Sequence, residues 1–235
     1  CGRSVMARRE SAIAFAIVLA GGTGRRMGGA SKPDVVVAGR RMIDHVLDEL
    51  DAQGVPAVVV GPPDLDVPSD VTLVREDPPL GGPAAGIAAG YAAGIDEVHA
   101  PGLAVDHSTD EVAGGVADSF TTRSSVAILA CDAPFAPRVL PQLAAATSPT
   151  SVGAVAITPD GRLQRLLCVV ESEALGAAIA RLESDGGVRD RSVRALLGGL
   201  ALTPVDVLEW VMDADTREDV NALEAMSPDA PETSR

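Results

Sequence analysis

Aromatic side chains are nearly missing from this sequence. Three Phe, one Tyr and one Trp amount to 2% of 235 residues, although hydrophobic residues reach 46%. A core must rest on Ala, Val, Leu and Ile, which suit close layers of helix on sheet. Positive charge is scarce too: Lys and Arg number 19 against 33 Asp and Glu, a net −14. That balance excludes nucleic acid and anionic membranes as natural partners. Long hydrophobic runs are also lacking. The longest, around Ser11 to Ala20, is too short to span a bilayer and ends at Gly21-Gly22. A few basic residues before that run imitate a signal peptide, but cleavage there would destroy the glycine-rich motif that follows. Cys1, Cys131 and Cys168 are odd in number, widely spaced and without a CxxC. They argue for a reduced, cytoplasmic protein with inert core thiols rather than a disulfide scaffold. The length suits one α/β domain.

Apolar runs of strand length alternate with amphipathic segments, the pattern of βαβ units around a mainly parallel sheet with helices on both faces. The spacing predicts strands at Phe15–Ala20, Ala57–Val60, Val71–Val74, Ser125–Ala130 and Leu202–Val207. A strand pair is expected at Val152–Ile157 and Leu166–Val170, around the turn Pro159-Asp160-Gly161. Helices are expected at Arg41–Gln53, Pro83–Ala93, Pro137–Ala146, Glu173–Glu183, Val193–Leu197 and Thr216–Ala225. Residues 96–123 are rich in Gly, Asp and Ser and show no periodicity. They read as a flexible insertion whose His99 and His107 are solvated loop residues rather than metal ligands. The expected organisation is therefore an N-terminal extension over 1–12, one domain over 13–226 carrying that insertion, and a disordered tail over 227–235.

What is present points to an anion. Between Gly24 and Arg41, five basic residues (Arg25, Arg26, Lys32, Arg40, Arg41) face Asp34 alone, a local +4 that leaves −18 for the rest of the chain. Lys32 is the only lysine, which suggests a role that the planar guanidinium fills poorly. Just upstream, Leu19-Ala20-Gly21-Gly22-Thr23-Gly24 follows a buried strand, where successive backbone N–H groups suit phosphate oxygens. The spacing is neither a P-loop nor a dinucleotide GxGxxG. A solvated turn would account for the glycines alone; with Arg26 and Lys32 reaching the same place, a nucleotide phosphate fits better. Asp132 ends a long apolar strand, at the sheet edge where ligands bind in α/β folds. A carboxylate there suits Mg²⁺ between phosphate oxygens, or else caps the turn before Pro134. Asp213 or Asp215 would add a second ligand, unless one of them caps the last helix. Asp77 is placed to accept from base or ribose, or to start a turn.

These residues resemble the nucleotidyltransferases of the nucleotide-diphospho-sugar transferase fold, which carry LAGG-x-x-x-RMG-x-x-x-K after the first strand. The form Arg25-Arg26-Met27-Gly28-Gly29 with Lys32 downstream is most similar to the molybdenum cofactor guanylyltransferases. Glu76-Asp77 with Gly82-Pro83-Ala84-Ala85-Gly86 resembles the family's ED…GPLAG on the guanine side. Cys131-Asp132-Ala133-Pro134-Phe135 is similar to CD-x-P-[FY], and Asp160-Gly161-Arg162-Leu163-Gln164 to DGR-x-Q. Asp213 to Asp219 resembles the late [ND]-x-[ND]-T-P-E-[DE]. The resemblance implies a Rossmann-like fold and a nucleotide site of Leu19, Ala20, Gly21, Gly22, Lys32, Gly61, Asp77, Gly82, Pro83, Gly86 and Asp132. It implies Arg26, Lys32 and Asp132 as catalytic residues, with Mg²⁺ on Asp132 and Asp213 or Asp215. Ser31, Gly61, Ala84, Arg165 and Arg217 depart from the family pattern. They touch base and acceptor recognition more than phosphate handling.

The implied reaction moves GMP from GTP to the terminal phosphate of molybdopterin cofactor, releasing pyrophosphate in the cytoplasm. Transient contact with other proteins of molybdenum cofactor biosynthesis would follow. Cytidylyl transfer, guanylyl transfer to another small phosphate, and a non-catalytic nucleotide-binding domain are the alternatives.

Overall fold

A computed structural model describes residues 13–21, 32–98, 124–148, 150–158, 160–207, 212–214 and 216–226. Strand β1 (Ile13–Leu19) is followed by a small hairpin of β2 (Val36–Val37) and β3 (Arg40–Arg41), helix α1 (Met42–Ala52), β4 (Ala57–Val60), β5 (Thr72–Val74) and α2 (Pro83–Val98). Beyond lie β6 (Ser125–Ala130), α3 (Leu140–Ala145), β7 (Gly153–Ile157), β8 (Leu163–Glu171), α4 (Ser172–Ser184), α5 (Val193–Leu197), β9 (Thr203–Asp206) and α6 (Arg217–Met226).

Seven strands form one sheet in the order β5-β4-β1-β6-β8-β7-β9. β8 alone runs antiparallel to its neighbours β6 and β7; every other pairing in the sheet is parallel. The expected mostly parallel architecture is therefore present. From β1 the chain first builds outward through β4 to β5, and α2 then carries it back across to β6 on the other side of β1. The strand order thus reverses between β1 and β6, and beyond their carboxyl ends such a sheet leaves a ligand crevice.

Side chains along β1 alternate between two cores, as strand geometry dictates. Ala16 and Val18 pack with Ile43, Val46 and Leu50 of α1 and with Leu140 and Leu143 of α3. Phe15 and Ile17 pack on the opposite face with Ala84 and Ile87 of α2, Leu175 of α4 and Leu196 of α5. A third, small cluster of Val37, Met42, Phe135, Ala214 and Leu223 fastens the C-terminal segment to the β2–β3 hairpin.

With few aromatics, the core closes by bringing backbones together. α2 lies on β1 through glycines: a Cβ at Gly94 would stand 2.2 Å from Phe15 Cε2, and one at Gly90 2.6 Å from Ile17 Cγ2. Gly94→Ala separates two opposing effects. Helix propensity favours Ala by about 1 kcal/mol, whereas overpacking against a rigid buried ring costs about 1–3 kcal/mol. Phe15 is only 1% exposed and has no room to retreat. The expected result is net destabilisation, read as a lower melting temperature by calorimetry; a rise would show that the helix shifts without cost.

Several boundaries differ from the sequence-based expectation, among them β1, which starts at Ile13 rather than Phe15, and α3, which starts at Leu140 rather than Pro137. α2 continues through Val98, so the first three residues of the expected insertion are helical. The remainder of that segment, 99–123 with His99 and His107, lies outside the described residues, as do 1–12 and 227–235. β8 starts at Leu163 rather than Leu166. The β2–β3 hairpin was not expected; its two-residue turn needs positive φ at both Ala38 (48°) and Gly39 (79°), a conformation Ala seldom supplies.

Candidate functional site

At the switch point the sheet opens into a cavity of about 750 Å³. Leu19, Ala20 and Gly21 reach it from the end of β1, Gly61 from the end of β4, and Gly82, Pro83 and Gly86 from the start of α2. Lys32 and Asp132 meet inside it. Lys32 Nζ donates to Asp132 Oδ2 at 2.8 Å, with the two side chains 22% and 20% exposed. The cavity thus joins residues a hundred positions apart, an ammonium from the turn before β2 and a carboxylate from the end of β6.

Each half of this pair is braced by the helix between them in sequence, α1. On the Asp132 side, the Cys131 amide donates to the Leu19 carbonyl at 3.1 Å, tying the turn after β6 to β1. Phe135 packs edge-on against His45 of α1 with ring centroids 5.3 Å apart, and the Arg138 guanidinium lies 5.3 Å over the same ring. Arg138 Nε donates to Glu49 Oε1 at 2.8 Å, and Gln53 Nε2 to the Pro137 carbonyl at 2.9 Å. On the Lys32 side, a short 3₁₀ turn over Lys32–Asp34 is held by Val35 N–H to the Lys32 carbonyl at 3.2 Å. Met42 N–H to the Val35 carbonyl, at 2.8 Å, joins that turn to α1.

The glycines keep the cavity open. A Cβ at Gly86 would meet Leu19 Cδ2 at 3.2 Å, and one at Gly61 would meet Leu65 Cδ2 at 3.2 Å. Gly82, just before α2, has φ +84°, a conformation that suits glycine. Its neighbour Gly81 is fixed from outside, where the Asp190 amide donates to the Gly81 carbonyl at 2.7 Å.

Asp213 is tied to the Asp132 turn through the backbone of its neighbour. The Ala214 amide donates to the Asp132 carbonyl at 2.8 Å, bringing the exposed Asp213 alongside the Asp132 turn. Among the described residues no three His, Cys, Asp or Glu side chains form a metal cluster. Mg²⁺ does not require one: it is usually held by one or two carboxylates, substrate phosphates and water. The partly exposed Asp132 carboxylate, at the cavity wall, fits that donor set.

Other expected residues fall elsewhere. Gly22, Arg25, Arg26 and Asp215 lie outside the described residues. Asp77 is exposed and is not among the residues lining the cavity, whereas its neighbours Arg75 and Glu76 are. Glu76 Oε1 accepts from the Leu80 amide at 3.0 Å, which holds the side chain in place. Arg40 and Arg41 are spent on carboxylates rather than on the cavity: Arg40 pairs with Asp48, and Arg41 with Asp44 and Asp34. Those two charges of the stretch are therefore compensated away from the cavity, while Lys32 stands in it. Arg162 pairs with Asp160 at 2.7 Å on the exposed hairpin before β8, while Leu166 of β8 reaches the cavity. The thiols behave as core residues. Burial pushes both up, Cys168 to about 12, so they stay protonated and unreactive at neutral pH.

A sheet whose switch point presents a glycine-lined cavity with a Lys–Asp pair has the makings of a phosphate-ligand site, and comparison with known proteins gives its class: a nucleotidyltransferase. Residues 16–200 match the model of the MobA-like NTP transferase domain. A molybdenum cofactor guanylyltransferase of Acidiphilium cryptum is 28% identical over 215 residues, 89% of this chain and 93% of that protein. A protein of the same name from Bradyrhizobium is 44% identical over 77 residues, 32% of this chain and 36% of its own. The crystal structure of molybdopterin-guanine dinucleotide biosynthesis protein A from Archaeoglobus fulgidus superposes with a TM-score of 0.57 at 20% identity, covering 90% of this chain and 97% of that one. The chain belongs to the MobA-like NTP transferase family.

Proposed function

We propose that this nucleotidyltransferase moves GMP from GTP to the terminal phosphate of molybdopterin cofactor. The Lys32–Asp132 pair inside the switch-point cavity carries the reading, and the names of the full-length and partial relatives supply the substrates. An acceptor phosphate oxygen attacks the α-phosphorus of GTP. The bond from that phosphorus to the oxygen bridging to the β-phosphate breaks, and pyrophosphate leaves with the electron pair. Both reacting groups are phosphates, so no proton need move, and alignment with charge compensation supplies most of the acceleration. Lys32 sets an ammonium against the triphosphate, and Arg26 would join it as the resemblance implies. The amides of the Gly21–Gly24 turn would face the phosphates, as the sequence pattern implies. Asp132 and Asp213, or Asp215, would hold Mg²⁺. When bound, that ion supplies charge neutralisation at the phosphate oxygens.

The enzyme would work in the cytoplasm on small molecules; no helix among the described residues is long and apolar enough to cross a membrane. Pyrophosphate release from purified protein with Mg²⁺–GTP and molybdopterin, together with detection of the guanine dinucleotide product, tests the assignment. Absence of product with release from another nucleotide would move it to a different base.

Base choice gives a finer prediction. GTP should be preferred over ATP and CTP, and Glu76, which lines the cavity beside the start of α2 where Asp77 does not, is the carboxylate expected to accept from guanine N1–H and N2–H. Adenine and cytosine present an acceptor at the corresponding ring nitrogen. Leaving such buried groups mismatched costs about 1–3 kcal/mol. Glu76→Gln should therefore cut the kcat/KM preference for GTP over ATP roughly tenfold, while Asp77→Asn leaves it in place. A nucleotide panel read by pyrophosphate release checks both. The reverse pattern would return base recognition to Asp77.

A further inference from the structure

Arg41 does not line the cavity, yet its side chain reaches three segments that shape or support it. Its Nε and Nη2 grip the Asp44 carboxylate on the first turn of α1, at 2.9 and 2.6 Å. Nη1 donates to the Asp66 carbonyl at 3.0 Å, directly after the wall formed by Pro62, Asp64 and Leu65. The same nitrogen approaches Asp34 Oδ1 at 3.4 Å, two residues from Lys32 and at the end of its turn. A rigid fork with five donors spans such a set of acceptors; a lysine would reach one or two of them. The Asp44 hydrogen bond, opposed by burial, raises the guanidinium above its usual range, so the fork stays charged. Arg40, next in sequence, makes one exposed pair with Asp48 on α1 and bridges nothing at the cavity.

The geometry matters because α1 also carries the other half of the pair. Its Glu49 and Gln53 hold Arg138 and Pro137, just beyond the Asp132 turn. One helix therefore sets where Lys32 and Asp132 stand relative to each other, and Arg41 is the side chain that fixes the Lys32 turn and the 62–66 wall to it. We propose that Arg41 is a positioning residue of the nucleotide site, holding the Lys32 ammonium where substrate phosphate charge arrives. The effect on substrate rests on the proposed nucleotidyl transfer; the placement of Lys32 does not.

The test uses Arg41→Met and the milder Arg41→Gln, with Arg40→Met as a control of equal charge. Three quantities are read: the melting temperature, the rate of Lys32 acetylation without nucleotide, and kcat and KM for pyrophosphate release. Acetylation is mapped by mass spectrometry, and Lys32 is the only lysine, so the signal is unambiguous. Arg41→Met should remain folded, acetylate Lys32 several-fold faster and raise KM for Mg²⁺–GTP about tenfold, because small misplacements of a charge partner cost one to two orders of magnitude. Arg41→Gln should fall between, and Arg40→Met should match the wild type in both readouts. If Arg41→Met fails to fold, Arg41→Gln is judged by the same criteria.

Wild-type labelling and KM in a folded Arg41 variant would reduce Arg41 to a structural ion pair and overturn the proposal. Equal changes in Arg40→Met would overturn it too, by showing that net charge is the cause. If the wild type releases no pyrophosphate from any nucleotide, the functional reading fails, while the labelling rates still decide whether Arg41 positions Lys32.

Discussion

Asp132→Asn should lower nucleotidyl transfer at least roughly a hundredfold, the usual scale for losing a key electrostatic group at a reacting phosphate or carbonyl, with the fold unchanged. The substitution removes charge from the end of β6 and no bulk from the core. Its stability cost is that of a partly exposed ion pair, about 0–1 kcal/mol, because Lys32 and Asp132 are 22% and 20% exposed. Binding should divide from chemistry. In the wild type Lys32 is engaged by Asp132 before substrate arrives; in the variant that ion pair is gone, so less of the ammonium's charge is compensated when the triphosphate arrives. Metal-free GTP should then bind at least as well as to the wild type, while the benefit of added Mg²⁺ shrinks. Titration calorimetry with and without Mg²⁺, beside pyrophosphate release, reads both effects. Near-wild-type transfer at low Mg²⁺ would show that another residue holds the metal, with Asp213 the first to examine.

Much of the fold was legible because strands in a sheet covered on both faces leave a simple trace. β1, β4 and β6 are unbroken apolar runs of small and β-branched residues, and each lies where its run lies. The end of α2 was hidden for the opposite reason. Gly94, one residue past the expected end, serves close approach to Phe15 within a helix that continues. The β2–β3 turn was hidden because Ala38 adopts a conformation that its side chain does not advertise.

The site divides along similar lines. Lys32 and Asp132 could each be named from motif and strand end, since both features are local. That they touch could not, because contact across a hundred residues depends on the strand order β1-β6 and on α1 bracing both turns. For Arg40 and Arg41, partners decide where the charge goes. Arg40 and Arg41 swelled the local positive count, but Asp34, Asp44, Asp48 and Asp66, scattered over 33 positions of sequence, absorb them. Glu76 and Asp77 differ by one residue, and in extended chain adjacent side chains point to opposite sides. Only the path beyond β5 settles that Glu76 reaches the cavity.

Lys32 offers the sharpest chemical test of the mechanism, because one lysine makes amine chemistry site-specific apart from the N-terminus. Acetylation removes the ammonium's charge, whereas reductive dimethylation keeps it and adds little bulk. If the charge opposes the triphosphate, acetylated protein should lose most of its transfer activity, roughly a hundredfold by the scale of such groups, and dimethylated protein markedly less. Acetylation also strips Asp132 of its partner, so the damage should show in nucleotide affinity as well as in turnover. Lys32→Arg should lie nearer the acetylated protein than the dimethylated one. A planar fork cannot occupy the place of a compact ammonium 2.8 Å from Asp132 without displacing that carboxylate. Bound Mg²⁺–GTP should slow both reagents, since the phosphates then cover the amine. Activity, nucleotide affinity and mass-mapped occupancy at Lys32 are measured on the same samples. Full activity in protein shown to be stoichiometrically acetylated at Lys32 would remove this residue from the mechanism and leave the ion pair a structural tie between two turns.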